Sequence, residues 1–139
     1  MTPDQLTGHL TTRLNGPHSD EATAGAARLA AEVIRFLNYA TMSRSGGLTE
    51  PATVPALMGE LSSAVYRLPQ LFGQVADWLN EETSAGRLAD DHGRPVYRLT
   101  DEARLMLAKA MGRADDLASA LAAVQALTTS LHAAGGEEG

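Results

Sequence analysis

The chain has 139 residues, the length of one domain with a single core. Apolar residues make up 44% of it and aromatic residues only 4%, so the core depends on Leu, Ala, Val and Met, a composition that favours helices. The lack of cysteine excludes disulfides, thiolate metal sites and cysteine nucleophiles, and the net charge of −6 argues against nucleic acid or an anionic membrane as partner.

No targeting or membrane-spanning segment is visible in the sequence. The residues from Met1 to Leu10 contain neither a basic region nor an apolar stretch, and no run approaches 18 apolar residues. We therefore expect a cytoplasmic protein.

Two helices are predicted before residue 44. The first begins at Pro3 with Thr2 as its N-cap and stops at the Gly-Pro pair of residues 16–17. The second begins at Ser19 or Asp20 and runs to about residue 43. Its apolar stripe steps alternately by four and three positions, which indicates a face that packs against a neighbour: Ala22, Ala26, Leu29, Val33, Phe36 and Ala40.

A third helix is predicted over residues 53–85, after a loop over residues 44–52. Its stripe keeps its phase across a proline: Val54, Leu57, Leu61, Ala64, Leu68, Leu71, Val75 and Trp78. Proline inside a helix costs about 3 kcal/mol, so we expect this helix to be kinked or split at Pro69. Gly86 is placed to take the left-handed conformation that ends it.

A polar connection over residues 87–99 leads to the last helix, either as a β-hairpin or as an irregular loop. Thr100 is the predicted N-cap, with Asp101 and Glu102 in the first turn, and the helix runs to about Ala134. Its stripe covers four heptads: Ala103, Leu107, Ala110, Ala114, Leu117, Leu121, Val124, Thr128 and Leu131. Residues 135–139 are expected to form a flexible tail.

These elements predict an all-α fold, an elongated antiparallel bundle of three long helices plus a short N-terminal helix, in a single domain over residues 1–134. The last two helices would each be about 50 Å long. Because alanine is frequent in their stripes, either the helix backbones approach closely or another chain completes the core.

No motif has the residues and spacing of a catalytic, metal or cofactor site. The histidines lie in four different segments: His9, His18, His92 and His132. The acidic run at residues 90–91 indicates a solvated turn, and the other paired acids indicate exposed helix faces or caps. We therefore expect no enzyme activity, no metal and no cofactor.

The segment over residues 86–100 also has the outline of the two-stranded wing of bacterial repressors. The helix that would enter the DNA major groove, residues 69–85, carries three acidic residues and no Lys or Arg, so phosphates would repel it. A winged-helix DNA-binding regulator that dimerises through its C-terminal helix is therefore the alternative function. It requires a β-hairpin within residues 87–99.

Four stretches of the sequence occur together in a recognisable combination: RFLNYAT (35–41), GLTEPATV (47–54), LPQLFGQVADWL (68–79) and GRLADD (86–91). They resemble a family of small, uncharacterised actinobacterial proteins with an Ala-rich C-terminal helix. The resemblance covers about half the chain and implies an all-helical fold, but it implies no activity.

The regular Ala-rich stripes favour a helical-bundle protein–protein interaction or self-assembly module. Its expected partner is itself, as a homo-oligomer, or another helical protein, and neither nucleic acid nor a membrane is expected. The predicted interface consists of Trp78, Ala110, Ala114, Leu117, Leu121, Val124 and Leu131. An enzyme with a site near Asn38, Tyr39 and His92 is a third hypothesis.

Overall fold

The structure is a computed structural model that describes residues 2–135. Its helices are α1 (Pro3–Thr12), α2 (Asp20–Ala40), α3 (Thr53–Ser84) and α4 (Val96–Thr128). No residue in the described range is in a strand, and the predicted all-α fold is confirmed. The chain divides into two compact units between Leu48 and Thr49. The first unit contains α1 and α2, and the second contains α3 and α4.

Both helices of the first unit begin where the sequence predicts. The Thr2 hydroxyl accepts a hydrogen bond from the Gln5 N–H (3.2 Å), and the Gln5 side chain accepts one from the Thr2 N–H (2.7 Å), which forms a reciprocal capping box. The Ser19 hydroxyl accepts from the Ala22 N–H at 3.0 Å and caps α2. Both helices end before their predicted ends, α1 at Thr12 and α2 at Ala40.

The third helix is continuous through Pro69. Proline has no N–H to donate, so this helix has one backbone hydrogen bond fewer. Residues on both sides of the proline contact α4, among them Ser62 before it and Thr83 after it, and this packing stabilises one long helix. Of the two alternatives left open at Pro69, a split into two helices is excluded.

Gly86 ends α3 as the sequence predicts. It has a φ of 70°, and the N–H of Arg87 donates to the carbonyl of Glu82 at 3.1 Å, which satisfies a carbonyl of the last turn.

The fourth helix begins at Val96, four residues before the predicted N-cap. Thr100 is wrong as a cap, because it lies within the helix and is only 6% exposed. Its hydroxyl donates to the carbonyl of Val96 (3.1 Å) and forms a hydrogen bond with the Thr83 hydroxyl (3.1 Å). The first turn of α4 therefore comes from residues that the sequence analysis assigned to the connection.

The end of α4 also differs from its prediction, since the helix stops at Thr128 instead of about Ala134. Hydroxyl side chains at this end bond back to the helix, with Thr128 donating to the carbonyl of Val124 (2.7 Å) and Thr129 to that of Gln125 (2.6 Å). Of the predicted flexible tail, residues 136–139 lie outside the described residues.

The second unit is an antiparallel pair of helices with small residues at its contacts. Residues later in α3 contact residues earlier in α4. The contacts are Gly59 with Gln125, Ser62 with Ala118, Gly73 with Met111, and Thr83 with Thr100. The Ser62 hydroxyl donates to the carbonyl of Ala118 at 2.9 Å, and the Gln125 side-chain amide occupies the space where Gly59 lacks a side chain. Close approach of the helix backbones, one of the two expectations for the Ala-rich stripes, is therefore confirmed for this pair.

From residue 64 onward, the face of α3 that contacts α4 lies one residue later than the predicted stripe, except at Leu68, which belongs to both. Partly or mostly buried positions include Val65, Leu68, Phe72, Ala76 and Leu79. The predicted positions one residue earlier are exposed: Ala64, Leu71, Val75 and Trp78. One residue corresponds to a rotation of about 100° around the helix axis. Half of the predicted stripe therefore lies along the side of the pair, whereas its other four members, Val54, Leu57, Leu61 and Leu68, are partly buried.

Candidate interaction surface

Exposed apolar side chains follow one side of the α3–α4 pair. On α3, Leu71, Val75 and Trp78 continue the row that begins at half-buried Leu68, in steps of three and four residues. On α4, Met106, Ala110 and Leu117 line a groove together with Leu68. We call this surface the apolar side, and it consists of Leu68, Leu71, Val75, Trp78, Met106, Ala110, Leu117 and Val124.

The large side chains of the apolar side retain much of their accessible surface. Trp78 is 53% exposed, Met106 55%, Leu117 50% and Leu71 49%. Such exposure is ordinary for a single residue, whereas a continuous row of this kind marks an interaction site.

A groove of about 300 Å³ lies between the two helices on the apolar side. Its apolar lining comes from Val65, Leu68, Phe72, Met106, Ala110, Ala114 and Leu117. Two cationic residues of α4, Lys109 and Arg113, also line it. Among residues 2–135 they are the only charged residues that do so, and they distinguish the α4 edge of the groove from the α3 edge.

The opposite side of the pair has a different character. Its groove, of about 550 Å³, is lined by small and polar residues: Ser62, Ser63, Tyr66, Arg67, Asp115, Ala118, Ser119 and Ala122. Two of these polar groups bond within the pair, Ser62 to the Ala118 carbonyl (2.9 Å) and Arg67 to the Ser63 carbonyl (3.4 Å). The contrast between the two grooves gives the pair one apolar and one polar side.

The predicted interface residues fall into three groups in the structure. Trp78, Leu117 and Val124 are exposed on the apolar side. Three residues lie closer to α3: Ala110 and Leu121 are half-buried, and Ala114 is 7% exposed.

The last predicted residue, Leu131, lies after the end of α4 and is 57% exposed. Met106 is an interface candidate that sequence reasoning missed. The predicted stripe of α4 passed through Leu107, one residue later.

The connection between α3 and α4 is held by two ion pairs. The Asp90 carboxylate accepts hydrogen bonds from the guanidinium of Arg94 (3.0 and 3.1 Å) and from the backbone N–H groups of Arg94 (3.0 Å) and His92 (3.1 Å). These bonds, those from the Arg94 side chain above all, lower the pKa of Asp90 to about 2. The Arg87 guanidinium binds Glu82 in the same bidentate way (2.7 and 3.0 Å) and lowers the pKa of that carboxyl.

This connection does not contain the hairpin that a winged helix requires. Residues 87–95 form turns and irregular backbone, and residues 96–99 are the first turn of α4. Of the two alternatives for this connection, a β-hairpin or an irregular loop, the structure shows an irregular loop followed by the first turn of α4. The DNA-binding alternative therefore lacks the hairpin on which it depended.

The residues of the third hypothesis lie on the surface or close to it. Tyr39 is 60% exposed at the end of α2, where it lines a shallow groove with Met42 and Arg44. His92 is exposed in the turn held by Asp90.

Residues 2–135 also lack two features that would point to other functions. No three His, Asp or Glu side chains in this range lie together in a way that could hold a metal ion. None of the helices described here combines the length and the apolar character needed to cross a membrane.

No family model, curated protein or solved structure matches this chain. The resemblance to small actinobacterial proteins therefore stays a prediction.

Proposed function

We propose that this protein is a helical self-assembly module that forms a homodimer through the apolar side of its α3–α4 pair. The observation that carries the proposal is the row of half-exposed large apolar side chains along that side. Burial of apolar surface is the main driving force of protein association, and covering this row would remove several large apolar side chains from water.

The small core of the α3–α4 pair is a reason to expect a second layer of helices. Among the described residues, the only nearly fully buried apolar side chains are two alanines of α4, Ala114 and Ala118. Alanine buries little area, so contacts within the pair supply only a small part of the hydrophobic stabilisation that a helical bundle needs. A second α3–α4 pair on the apolar side would complete a four-helix bundle.

The apolar side covers part of the length of the pair. Its longer row, from Met106 to Val124 on α4, extends over about 27 Å, and two adjacent helices are about 20 Å wide. The footprint is therefore roughly 540 Å², and two copies together would bury roughly 1,100 Å², the size of a weak or transient interface. We favour a second copy of the chain as the occupant, and other helical proteins are outcomes of the test.

Sedimentation equilibrium with a matched pair of variants tests the proposal. Leu117→Gln removes an apolar side chain from the apolar side, and Leu105→Gln removes an equally large side chain, 58% exposed, that lies about 120° around the same helix. About half of Leu117 is still exposed, so its loss costs about 1 kcal/mol per copy and about 2 kcal/mol per dimer.

We therefore expect Leu117→Gln to weaken dimerisation roughly 30-fold and Leu105→Gln to change it less than about 3-fold. Circular dichroism checks that both variants keep their helix content. A monomeric wild-type protein at high micromolar concentration, or equal effects of the two substitutions, would contradict the proposal.

Trp78 provides an independent readout, because it is the only tryptophan of the chain. Its indole is 53% exposed in the single chain and would be covered in the dimer. We expect its fluorescence emission to shift to shorter wavelength as the protein concentration rises through the dissociation constant. A concentration-independent emission in a protein that dimerises would place the interface elsewhere.

We also propose a cytoplasmic location. The support is the cysteine-free sequence, because small domains of secreted proteins commonly depend on disulfides.

A further inference from the structure

The groove on the apolar side combines an apolar lining with two cationic groups at one edge. Larger side chains of both helices form its walls, whereas α4 contributes two small residues, half-buried Ala110 and Ala114, which is 7% exposed. Alanine leaves space that a longer side chain would fill, which accounts for a groove of about 300 Å³ at this place. The groove is open to solvent, so an occupant can enter it from the side.

The two cationic groups lie close together at the rim of the groove. Lys109 and Arg113 are four residues apart on α4, and such residues are neighbours on a helix surface. Neither forms an ion pair with an acidic residue among residues 2–135. Long cationic side chains cover apolar surface with their alkyl stems and keep their charged ends in water. This rim is therefore complementary to a ligand that carries an anionic group at one end of an apolar chain.

A second copy of the chain does not supply that anion. The residues that define the apolar side include no Asp or Glu, so the same surface of another copy brings only apolar side chains to the groove. Cationic groups that are covered without an anionic partner lose hydration and gain nothing in return. A carboxylate ligand would instead accept charge-assisted hydrogen bonds from both Lys109 and Arg113.

The dimensions of the groove indicate the size of such a ligand. A water molecule takes up about 30 Å³ in the liquid, so the groove holds roughly ten non-hydrogen atoms. Its lining on α4, from Met106 to Leu117, extends over about 17 Å, which is long enough for an extended chain of that size. An unbranched chain fits a narrow groove between two helices better than a bulky ring system does.

We propose that the groove binds an aliphatic carboxylate of about ten carbon atoms, whose chain lies against Leu68, Phe72 and Leu117 and whose carboxylate binds Lys109 and Arg113. Two of these apolar residues also belong to the apolar side, so the ligand and a second copy exclude each other. This exclusion rests on the proposed homodimer, whereas binding of the ligand does not. The ligand thereby regulates self-assembly.

An NMR titration with decanoate, below the concentration at which it forms micelles, tests the site. We expect the backbone amide signals of Ala110 and Leu117 to shift with a dissociation constant of roughly 1 mM, because a short chain in an open groove binds weakly. Decyltrimethylammonium has the same chain with a positive end. We expect it to bind in the groove at least about tenfold more weakly, because its charge repels the two cations.

Two double variants separate the charges of the groove from the net charge of the protein. Lys109→Gln with Arg113→Gln removes both cations that line the groove. Arg67→Gln with Arg98→Gln removes two exposed cations that do not line it. We expect decanoate binding to weaken roughly tenfold in the first variant and less than about twofold in the second. Circular dichroism checks that both keep their helix content.

Three results of these titrations would overturn the site. They are the absence of shifts at Ala110 and Leu117, equal affinity for the two ligands, and wild-type affinity in the variant that lacks Lys109 and Arg113. Vesicles of phosphatidylglycerol present anions and acyl chains at a membrane surface, and we expect no binding to them. Binding to these vesicles but not to decanoate would likewise overturn the proposal.

Sedimentation equilibrium tests the exclusion separately. At a decanoate concentration of about twice its dissociation constant, the apparent dissociation constant of the dimer should rise about ninefold, because both copies must release the ligand before they associate. An unchanged value in a protein that binds decanoate would overturn the exclusion. A protein that is monomeric without decanoate would refute the dimer and leave the ligand site intact.

Discussion

Replacement of Gly73 by alanine tests the distance between α3 and α4. Glycine inside a helix is less favourable than alanine by about 1 kcal/mol, because its backbone loses more freedom on folding. A Cβ atom at this position would lie 3.7 Å from the Cε atom of Met111, which is an ordinary van der Waals contact. The substitution therefore gains the higher helix propensity of alanine without a steric cost. We expect the free energy of unfolding to rise by about 1 kcal/mol and the melting temperature by roughly 4 °C.

Chemical denaturation followed by circular dichroism measures this change, with Gly112→Ala as the control. Gly112 lies in the interior of α4, and a Cβ atom there would meet no other atom within 4 Å. The control therefore reports only the difference in helix propensity between glycine and alanine. Both variants should be stabilised by similar amounts. If Gly73→Ala lowered the stability while Gly112→Ala raised it, the helices would approach more closely at Gly73 than the structure places them, and the open contact between Gly73 and Met111 would be refuted.

Three further predictions concern the second unit. Ala118→Leu should lower the free energy of unfolding by about 1–3 kcal/mol in chemical denaturation, because Ala118 is 6% exposed where its carbonyl binds Ser62; an unchanged value would contradict close packing there. Thr100→Val should cost about 1 kcal/mol by losing the hydroxyl contact with Thr83, and a double-mutant cycle with Thr83→Val should show coupling, whereas additive effects would contradict the contact. The Asp90 carboxyl should titrate at about 2 in NMR spectra. Because this value lies below the ordinary 3.8, its ion pair with Arg94 stabilises the connection above pH 3.8 and is lost as the pH falls toward 2, and a midpoint near 3.8 would refute the pairing.

The helix boundaries show which local signals can be trusted. Thr2 and Ser19 cap their helices as predicted, since each hydroxyl has only nearby backbone N–H groups to bind. Thr100 has the same kind of sequence context, with acidic residues after it, yet its hydroxyl bonds to the Val96 carbonyl and to Thr83. The deciding partner, Thr83, comes from another helix, and no local pattern could identify it.

The candidate surface was only partly predictable for a related reason. Periodicity correctly placed Leu71, Val75 and Trp78 on one face of α3. It assigned that face to the interior because it assumed that the largest side chains meet between the helices. In the structure, small residues such as Ser62 and Ala118 meet there, because they let the backbones approach and allow a hydrogen bond between the helices. The large side chains are thereby displaced to the side.

The sequence by itself determined the helical class, the capping of α1 and α2, the left-handed stop at Gly86 and the amphipathic rows of the long helices. Each of these depends on contacts within a few residues or on a repeat that matches the helical period. Only the tertiary structure decided that α3 continues through Pro69, that α4 begins at Val96 and that the apolar row of α3 faces outward. These features depend on which residues of α3 and α4 meet, and a rotation of one residue costs nothing in the local pattern while it exchanges the buried and the exposed face.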